Sequence, residues 1–306
     1  MLTASDGQRE LAVLGSPIAH SQSPALHAAA YSVLGLPWSY ERIEIVPETL
    51  DAFVMSRADA WRGLSLTMPL KQSVLHLVDS LDETARLTGA ANTVLLDTDA
   101  AGRRAVRGFN TDVPGIVRAL AAAGTTTARS VLIWGGGATA ASAVVAAAEL
   151  GASEVTVQVR DPSRVAPLAD LGHSVGLRVD VRRFGDEPAD RPDLVVSTLP
   201  GTAGADGAAR VIVSGESIAR AAGDGVLLLD VAYDPWPTDI ARIWNLLAQA
   251  RGGSGDMLSG LAMLVHQALL QVRIFVMGDP ERELPRESEV LEAMLRSVGL
   301  TSSGRH

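Results

Sequence analysis

The sequence of 306 residues is too long for one ordinary core, and its hydrophobic fraction of 47% is large enough to fill two domains. A formal net charge of −9 argues against a nucleic-acid partner, because binding a phosphate backbone requires a positive stripe. The absence of cysteine excludes disulfides, thiolate chemistry and metal sites built from cysteine.

The first ten residues are polar and lack the apolar core of a signal peptide. No stretch of the sequence is expected to reach the length of a membrane span. We therefore expect a soluble, cytoplasmic protein with neither a nucleic acid nor a membrane as its partner.

The first third of the sequence alternates short apolar runs with helical stretches. The patterns predict strands at residues 10–14, 38–46 and 63–67, and helices at residues 25–34 and 48–56. Pro24 and Pro47 introduce the two helices, and Gly35 ends the first of them. Because strands that alternate with helices form parallel βαβ units, this part is predicted to be α/β.

A second α/β unit follows Asp112. A helix at residues 113–123 precedes predicted strands at 130–134, 154–159, 194–198 and 226–231, with an alanine-rich helix ending near Gly151. Residues 252–255 resemble a hinge, and residues 258–277 are predicted to form one long apolar helix. We predict a substrate-binding and catalytic domain formed by residues 1–112 and 258–306. Residues 113–257 are predicted to form a Rossmann-like, doubly wound domain, with the active-site cleft between the two domains.

A glycine-rich loop follows the strand at residues 130–134. Its residues are Gly135, Gly136, Gly137 and Ala138, and the spacing Gly135-x-Gly137-x-x-Ala140 matches the dinucleotide-binding fingerprint. The loop follows a predicted strand and opens a predicted helix, as the fingerprint requires. The alternative is a turn that only packs a helix on a strand.

The end of the next strand bears on the choice of cofactor. Arg160 and Arg164 could bind the 2′-phosphate of NADP, whereas Asp161 could favour the ribose hydroxyls of NAD. Asp161 has a second interpretation as the N-cap of a helix that begins with Pro162. We prefer NADP.

Polar side chains in five segments are typical of a site for a polyhydroxy carboxylate. They are Ser21 and Ser23, Thr67 and Lys71, Asn92, Asp112, and Gln267. Lys71 is the only lysine of the chain, and a lysine, unlike an arginine, can release its proton. Other interpretations remain for single residues. The only lysine could have remained by chance, Ser23 could only cap the helix, and Gln267 could be a core residue whose amide has all its hydrogen bonds.

In this order, the segments resemble the shikimate dehydrogenase family from Leu11 to about Phe275. The resemblance implies that Lys71 and Asp112 are catalytic. It also implies substrate binding by Ser21, Ser23, Thr67, Lys71, Asn92, Asp112, Tyr233 and Gln267. For the cofactor it implies Gly135, Gly136, Gly137, Ala138, Arg160, Arg164, Thr198, Gly260 and Met263. Two runs depart from the family: only Arg160 remains of its asparagine-arginine-threonine run, and the segment around Thr198 lacks its asparagine-alanine-threonine run.

The implied activity is the NADPH-dependent reduction of 3-dehydroshikimate to shikimate by a monomer or homodimer. Two alternatives are an NAD-dependent quinate/shikimate dehydrogenase and a non-catalytic module that binds NADP or a metabolite. A third is another two-domain dehydrogenase, such as a folate-handling one, which would not need the paired serines. The resemblance implies that the paired serines favour shikimate over quinate, and the presence of both Lys71 and Asp112 argues against a non-catalytic module. No histidine has the spacing of a metal ligand, so no metal site is predicted.

Overall fold

The computed structural model describes residues 7–57, 60–98, 103–186, 191–201, 213–251 and 255–305. The chain divides into two compact units. Unit 1 comprises Met1–Gly115 and Leu264–Ser302, and unit 2 comprises Ile116–Met263 and Ser303–Arg305. Residues 252–254 of the predicted hinge lie outside the described residues.

Unit 1 is built on a six-stranded sheet. Its strands are β1 (Glu10–Gly15), β2 (Ser39–Glu44), β3 (Trp61–Leu66), β4 (Ser80–Leu81), β5 (Thr93–Thr98) and β6 (Arg104–Phe109). Its first helices are α1 (Ser23–Leu34), α2 (Pro47–Met55), α3 (Leu70–Ser73) and α4 (Glu83–Thr88), and a 3-10 turn at Val74–Leu77 follows α3. Helix α5 (Asp112–Ala122) begins in unit 1 and continues into unit 2.

The sheet of unit 1 is mixed, with the strand order β2-β1-β3-β5-β6-β4. Strand β1 pairs in parallel with β2 and β3, as the sequence pattern predicts. Strand β5 runs antiparallel to both β3 and β6, so the expectation of a parallel arrangement does not extend to it. Only residues 99–103 separate β5 from β6, and such a short connection joins antiparallel strands, not a parallel crossover.

Unit 2 contains a second sheet of six strands, all parallel. These strands are β7 (Ser130–Trp134), β8 (Glu154–Val159), β9 (Arg178–Arg183), β10 (Leu194–Ser197), β11 (Leu227–Asp230) and β12 (Met257–Ser259). Its helices are α6 (Ala138–Glu149), α7 (Pro167–Ser174), α8 (Gly215–Ala221) and α9 (Asp239–Ala250), with a 3-10 turn at Pro162–Val165. The order β12-β11-β10-β7-β8-β9 is that of the doubly wound dinucleotide-binding fold, and it reverses direction between β7 and β10. The predicted Rossmann-like fold is confirmed.

Two further helices complete the chain, α10 (Gly260–Met277) and α11 (Glu287–Ser297). The prediction of one helix over residues 258–277 is wrong at its start, because Met257–Ser259 pairs with β11 as a strand. By length and composition α10 could cross a membrane, so the expectation that no stretch reaches that length is also wrong. However, 83% of α10 is buried, as expected for the core helix of a soluble protein.

Local signals explain where several helices begin and end. Pro24 lies in the first turn of α1, and Gly35 ends it in the left-handed conformation with φ 68°. The side chain of Asp82 accepts a hydrogen bond from the amide of Ala85 and caps α4. Gly63 of β3 faces the ring of Phe275, leaving no room for a side chain at this position. The C-terminal part of α10 is therefore packed directly on the sheet of unit 1.

Candidate active site

Lys71 and Asp112 form an ion pair in unit 1. Lys71 lies in α3, which follows β3, and Asp112 is the first residue of α5. The Nζ atom of Lys71 donates to Oδ2 of Asp112 over 2.6 Å, and the two side chains are only 13% and 5% exposed. Because the pair is largely withdrawn from water, its electrostatic interaction is stronger than that of a surface pair.

Asn92 holds the other oxygen of Asp112. Its Nδ2 atom donates to Oδ1 of Asp112 over 2.8 Å and to Oε1 of Gln267 over 3.1 Å. Its Oδ1 atom accepts from the backbone amide of Thr111 at 2.9 Å and from the hydroxyl of Thr93 at 2.8 Å. A backbone amide can only donate, so its contact fixes which end of the Asn92 side chain faces Asp112. Both oxygens of the Asp112 carboxylate therefore face a donor.

Close backbone packing positions Thr67 and Gln267. Thr67 follows β3, and its amide donates to the carbonyl of Leu14 over 2.9 Å. A Cβ atom at Gly15 would collide with the side chain of Thr67, and one at Gly115 would lie 2.6 Å from Cβ of Gln267. Glycine at these two positions therefore allows β1 and α5 to approach the polar residues.

The paired serines precede and begin α1. The Ser21 hydroxyl donates to that of Ser23 over 3.2 Å and accepts from the Ser23 amide at 3.3 Å. Both residues are buried. The N-cap of α1 is Gln22, and Ser23 is already helical, so the interpretation of Ser23 as a cap is wrong. The two hydroxyls instead form a group at the N-terminus of the helix.

A second set of polar contacts was missed from the sequence. Tyr40 donates to Ser65 over 2.7 Å, and Ser65 donates to Oε1 of Gln271 over 2.9 Å. The Nε2 atom of His27 lies 3.3 Å from the same oxygen, and its ring stacks on that of Tyr40 with centroids 3.9 Å apart. Gln271 follows Gln267 by four residues, so a second amide on one face of α10 was the available signal.

The glycine-rich loop of unit 2 has the conformation that the fingerprint requires. Gly135 has φ +112°, a region that favours glycine, and a Cβ atom there would collide with Oγ1 of Thr198. Thr198 follows β10, and its hydroxyl donates to the carbonyl of Trp134 over 3.0 Å. The loop and Thr198 thus lie together where the strand order reverses, the usual place for a dinucleotide.

The remaining loop residues leave the start of α6 accessible. A Cβ atom at Gly136 would lie 2.5 Å from the side chain of Val165. At Gly137 a Cβ atom would meet no atom within 4 Å from the described residues beyond its chain neighbours. Helix α6 begins at Ala138, and Ala140 is fully buried. An open backbone at a helix N-terminus fits the pyrophosphate of a dinucleotide.

Asp161 is bound within its own segment. Its carboxylate accepts from the amide of Ser163 at 3.1 Å and from the hydroxyl of Ser163 at 2.7 Å, and it caps the turn that begins at Pro162. The Ser163 contacts hold the pKa of this carboxyl below its usual range, and the nearby charges of Arg183 and Arg164 lower it further. The N-cap interpretation of Asp161 is therefore confirmed. Arg160 and Arg164 are both exposed.

Asp230 anchors the segment that carries Tyr233. It lies at the end of β11, where Oδ2 accepts from the hydroxyl of Thr238 at 2.5 Å and Oδ1 from the amide of Ala232 at 3.3 Å. Burial raises the pKa of the Asp230 carboxyl to about 6. Gly260 packs against the carbonyl of Val231, where a side chain would collide, and Met263 is buried in α10.

Comparisons with known proteins show the family of the chain. A family model described as the shikimate dehydrogenase substrate binding domain matches residues 13–94. A shikimate dehydrogenase (NADP(+)) of Methanothermobacter thermautotrophicus is 31% identical over 280 residues, which cover 90% of this chain and 94% of the relative. The chain belongs to the shikimate dehydrogenase family.

Solved structures of the shikimate dehydrogenase family share the fold over nearly the whole chain. The crystal structure of Mycobacterium tuberculosis shikimate dehydrogenase is 36% identical, with a TM-score of 0.75 and coverage of 94% of this chain and 99% of that chain. The enzyme of Thermus thermophilus in complex with NADP(H) and shikimate is 32% identical, with a TM-score of 0.73 and coverage of 94% and 99%.

Proposed function

We propose that this protein is an NADP-dependent shikimate dehydrogenase that reduces 3-dehydroshikimate to shikimate reversibly. The observation that carries the proposal is the largely buried ion pair of Lys71 and Asp112 in unit 1, where Asn92 donates to the other oxygen of the carboxylate. The relative from Methanothermobacter thermautotrophicus is named a shikimate dehydrogenase (NADP(+)), and the chain spans 94% of it.

We assign substrate binding to residues 1–112 with 258–306, and NADP binding to residues 113–257. The hydroxyls of Ser21 and Ser23 would bind the substrate carboxylate, because hydroxyls beside a helix N-terminus donate to anions. The ring oxygens would be bound by Thr67, Lys71, Asn92, Asp112 and Gln267, with Tyr233 as a further contact.

The proposed role of Lys71 is to supply the proton for the ketone oxygen. An ammonium group has three N–H donors, and one of them is directed at Asp112, which leaves donors for a substrate oxygen. Bound NADPH supplies the hydride. Lys71 then stabilises the negative charge that develops on the oxygen and donates a proton to it. Asp112 orients the ammonium group and accepts a hydrogen bond from a substrate hydroxyl.

The residues of unit 2 fit a dinucleotide with a 2′-phosphate. Gly135, Gly136, Gly137 and Ala138 would face the pyrophosphate, and Arg160 and Arg164 would bind the 2′-phosphate. The carboxylate of Asp161 is already bound to Ser163, which reduces its availability to ribose hydroxyls. Thr198, Gly260 and Met263 are proposed to contact the nicotinamide end. This arrangement favours NADP over NAD.

The proposal is tested by following the absorbance of the reduced nicotinamide in four reactions. Shikimate and quinate are each offered to the purified protein with NADP and with NAD. We expect rapid reduction of NADP with shikimate and much slower reactions in the other three mixtures. Faster turnover of quinate with NAD would favour the quinate/shikimate alternative, and no turnover in any mixture would contradict an enzymatic function.

A further inference from the structure

One face of the edge strand β2 holds the segment of residues 16–23, which we term the serine loop. Tyr40, Arg42 and Glu44 alternate along β2, so their side chains project from the same face. The Nε atom of Arg42 donates to the backbone carbonyl of Ser21 over 2.6 Å, and Oε1 of Glu44 accepts from the hydroxyl of Ser16 at 2.8 Å. Arg42 therefore contacts the serine loop next to its paired hydroxyls.

The guanidinium group of Arg42 has N–H donors that make no hydrogen bond to the residues that the structure describes. Arginine carries five N–H donors, and within the described part of the chain this side chain makes its hydrogen bond to Ser21 and no ion pair. By contrast, Arg62 on β3 pairs with Asp97 at 3.1 Å. Among the residues that the structure describes, no carboxylate of unit 1 forms an ion pair with Arg42, although Glu44 lies two residues further along the same strand face.

We propose that Arg42 is a specificity-determining residue for the negative charge of the substrate. It positions the Ser21 backbone and places a positive charge beside the hydroxyls to which we assign the substrate carboxylate. Neutral hydroxyls donate to a carboxylate and to an ester carbonyl alike, whereas a cation favours only the charged group. The inference rests on the proposed function, because it takes the serine loop to be the carboxylate site.

A local cation matters here because the net charge of the chain gives no long-range attraction for an anionic substrate. Its formal net charge is −9. In unit 1 the ammonium group of Lys71 is already paired with Asp112. Arg42 is exposed, so its field is screened by water and by salt, and its effect on an anionic ligand is moderate. This predicts a contribution to substrate affinity and selectivity, with no part in the chemical step.

The test compares shikimate with its methyl ester, which has the same ring and no carboxylate charge. Both are assayed with NADP, using wild-type protein, Arg42→Gln, Arg42→Lys and the control Arg62→Gln. Glutamine retains an N–H donor for the Ser21 carbonyl and removes the charge, whereas lysine retains the charge. We expect Arg42→Gln to lower kcat/KM for shikimate about tenfold through KM, with kcat unchanged.

The methyl ester distinguishes an effect of the Arg42 charge on substrate selectivity from an effect of Arg42 on the structure of the serine loop. Its kcat/KM is expected to be the same in wild-type protein and Arg42→Gln, and Arg42→Lys is expected to retain most of the preference for shikimate. Arg62→Gln should leave both substrates unaffected. An equal loss for acid and ester, or no loss for either, would overturn the inference. Wild-type protein that fails to oxidise shikimate would instead contradict the proposed function, so the two failures are distinguishable.

Discussion

The ammonium group of Lys71 lies 2.6 Å from a carboxylate oxygen of Asp112, in a chain that has no other lysine. All other basic side chains apart from histidine are arginines, which do not release a proton at working pH. Apart from the histidines, Lys71 is therefore the only side chain of the sequence that can both carry a positive charge and transfer a proton. It lies against a buried carboxylate.

The first prediction concerns this pair. We expect Lys71→Met to lower kcat about 10³-fold, because the variant loses both the proton donor and the charge that stabilises the oxyanion. Lys71→Arg retains the charge, and its activity separates the two contributions. NADPH affinity, measured by fluorescence titration, should be unchanged because the proposed cofactor residues lie in unit 2. A kcat for Lys71→Met within tenfold of the wild-type value would refute the role.

The second prediction concerns the amide of Asn92. In Asn92→Asp a carboxylate oxygen replaces the nitrogen that donates to Asp112, so two buried carboxylates would face each other. We expect a loss of about 3 kcal/mol in the free energy of unfolding, measured by urea denaturation near neutral pH, and a large decrease in kcat. Thr93→Val is the control. When the Thr93 hydroxyl is removed, the Thr111 amide still orients Asn92, and Gln271, which also donates to this hydroxyl, keeps its hydrogen bond to the Asn92 carbonyl. Equal effects of the two substitutions would contradict this account.

The third prediction concerns the cofactor. We expect the double substitution of Arg160 and Arg164 by alanine to raise KM for NADPH about 100-fold, since two charge-assisted contacts to the 2′-phosphate would be lost. KM for NADH should be unchanged. Asp161→Asn retains an oxygen that can accept from the Ser163 amide, so it should leave the preference for NADPH intact. A strong gain in NADH activity in Asp161→Asn would show that the carboxylate acts on the ribose.

The fourth prediction concerns pH. Burial lowers the pKa of His27 to about 3 from its ordinary value of 6.5, although a hydrogen bond with Gln271 opposes the shift. Between these two values the unfolded chain binds a proton that the folded protein excludes. The contribution of neutral His27 to the free energy of unfolding is therefore complete above pH 6.5 and is lost as the pH falls toward 3.

Urea denaturation between about pH 7 and pH 4 measures this effect. We expect His27→Gln to remove a slope of up to about 1.4 kcal/mol per pH unit from the acid side of the profile. His76→Gln is the matched control: His76 is exposed, and its hydrogen bond to Asp51 raises its pKa, so its stabilising effect is present at low pH and lost as the pH rises. An unchanged acid slope in His27→Gln would show that His27 is accessible to protons.

Signals confined to a few neighbouring residues could be read correctly from the sequence. The bounds of β7 and β8 agree with their predictions, Gly35 ends α1, and Asp161 caps the turn after β8. Strand β7 is an apolar run, and β8 alternates valine with polar residues. The helix end and the capped turn depend on backbone conformation or on hydrogen bonds within one turn, which local residue types determine. The glycine loop belongs to the same class, because its conformation is set by Gly135 itself.

Features that depend on distant partners were decided by tertiary structure. Met257–Ser259 has an apolar pattern that continues into α10, and only its pairing with β11 makes it a strand. His27 and Gln271 are 244 residues apart. No local rule predicts that the amide oxygen of Gln271 contacts both His27 and Ser65. The sequence alone supplied the residue types of the site and the ends of its elements. Packing decided which donor meets which acceptor, because buried polar groups must find partners in three dimensions.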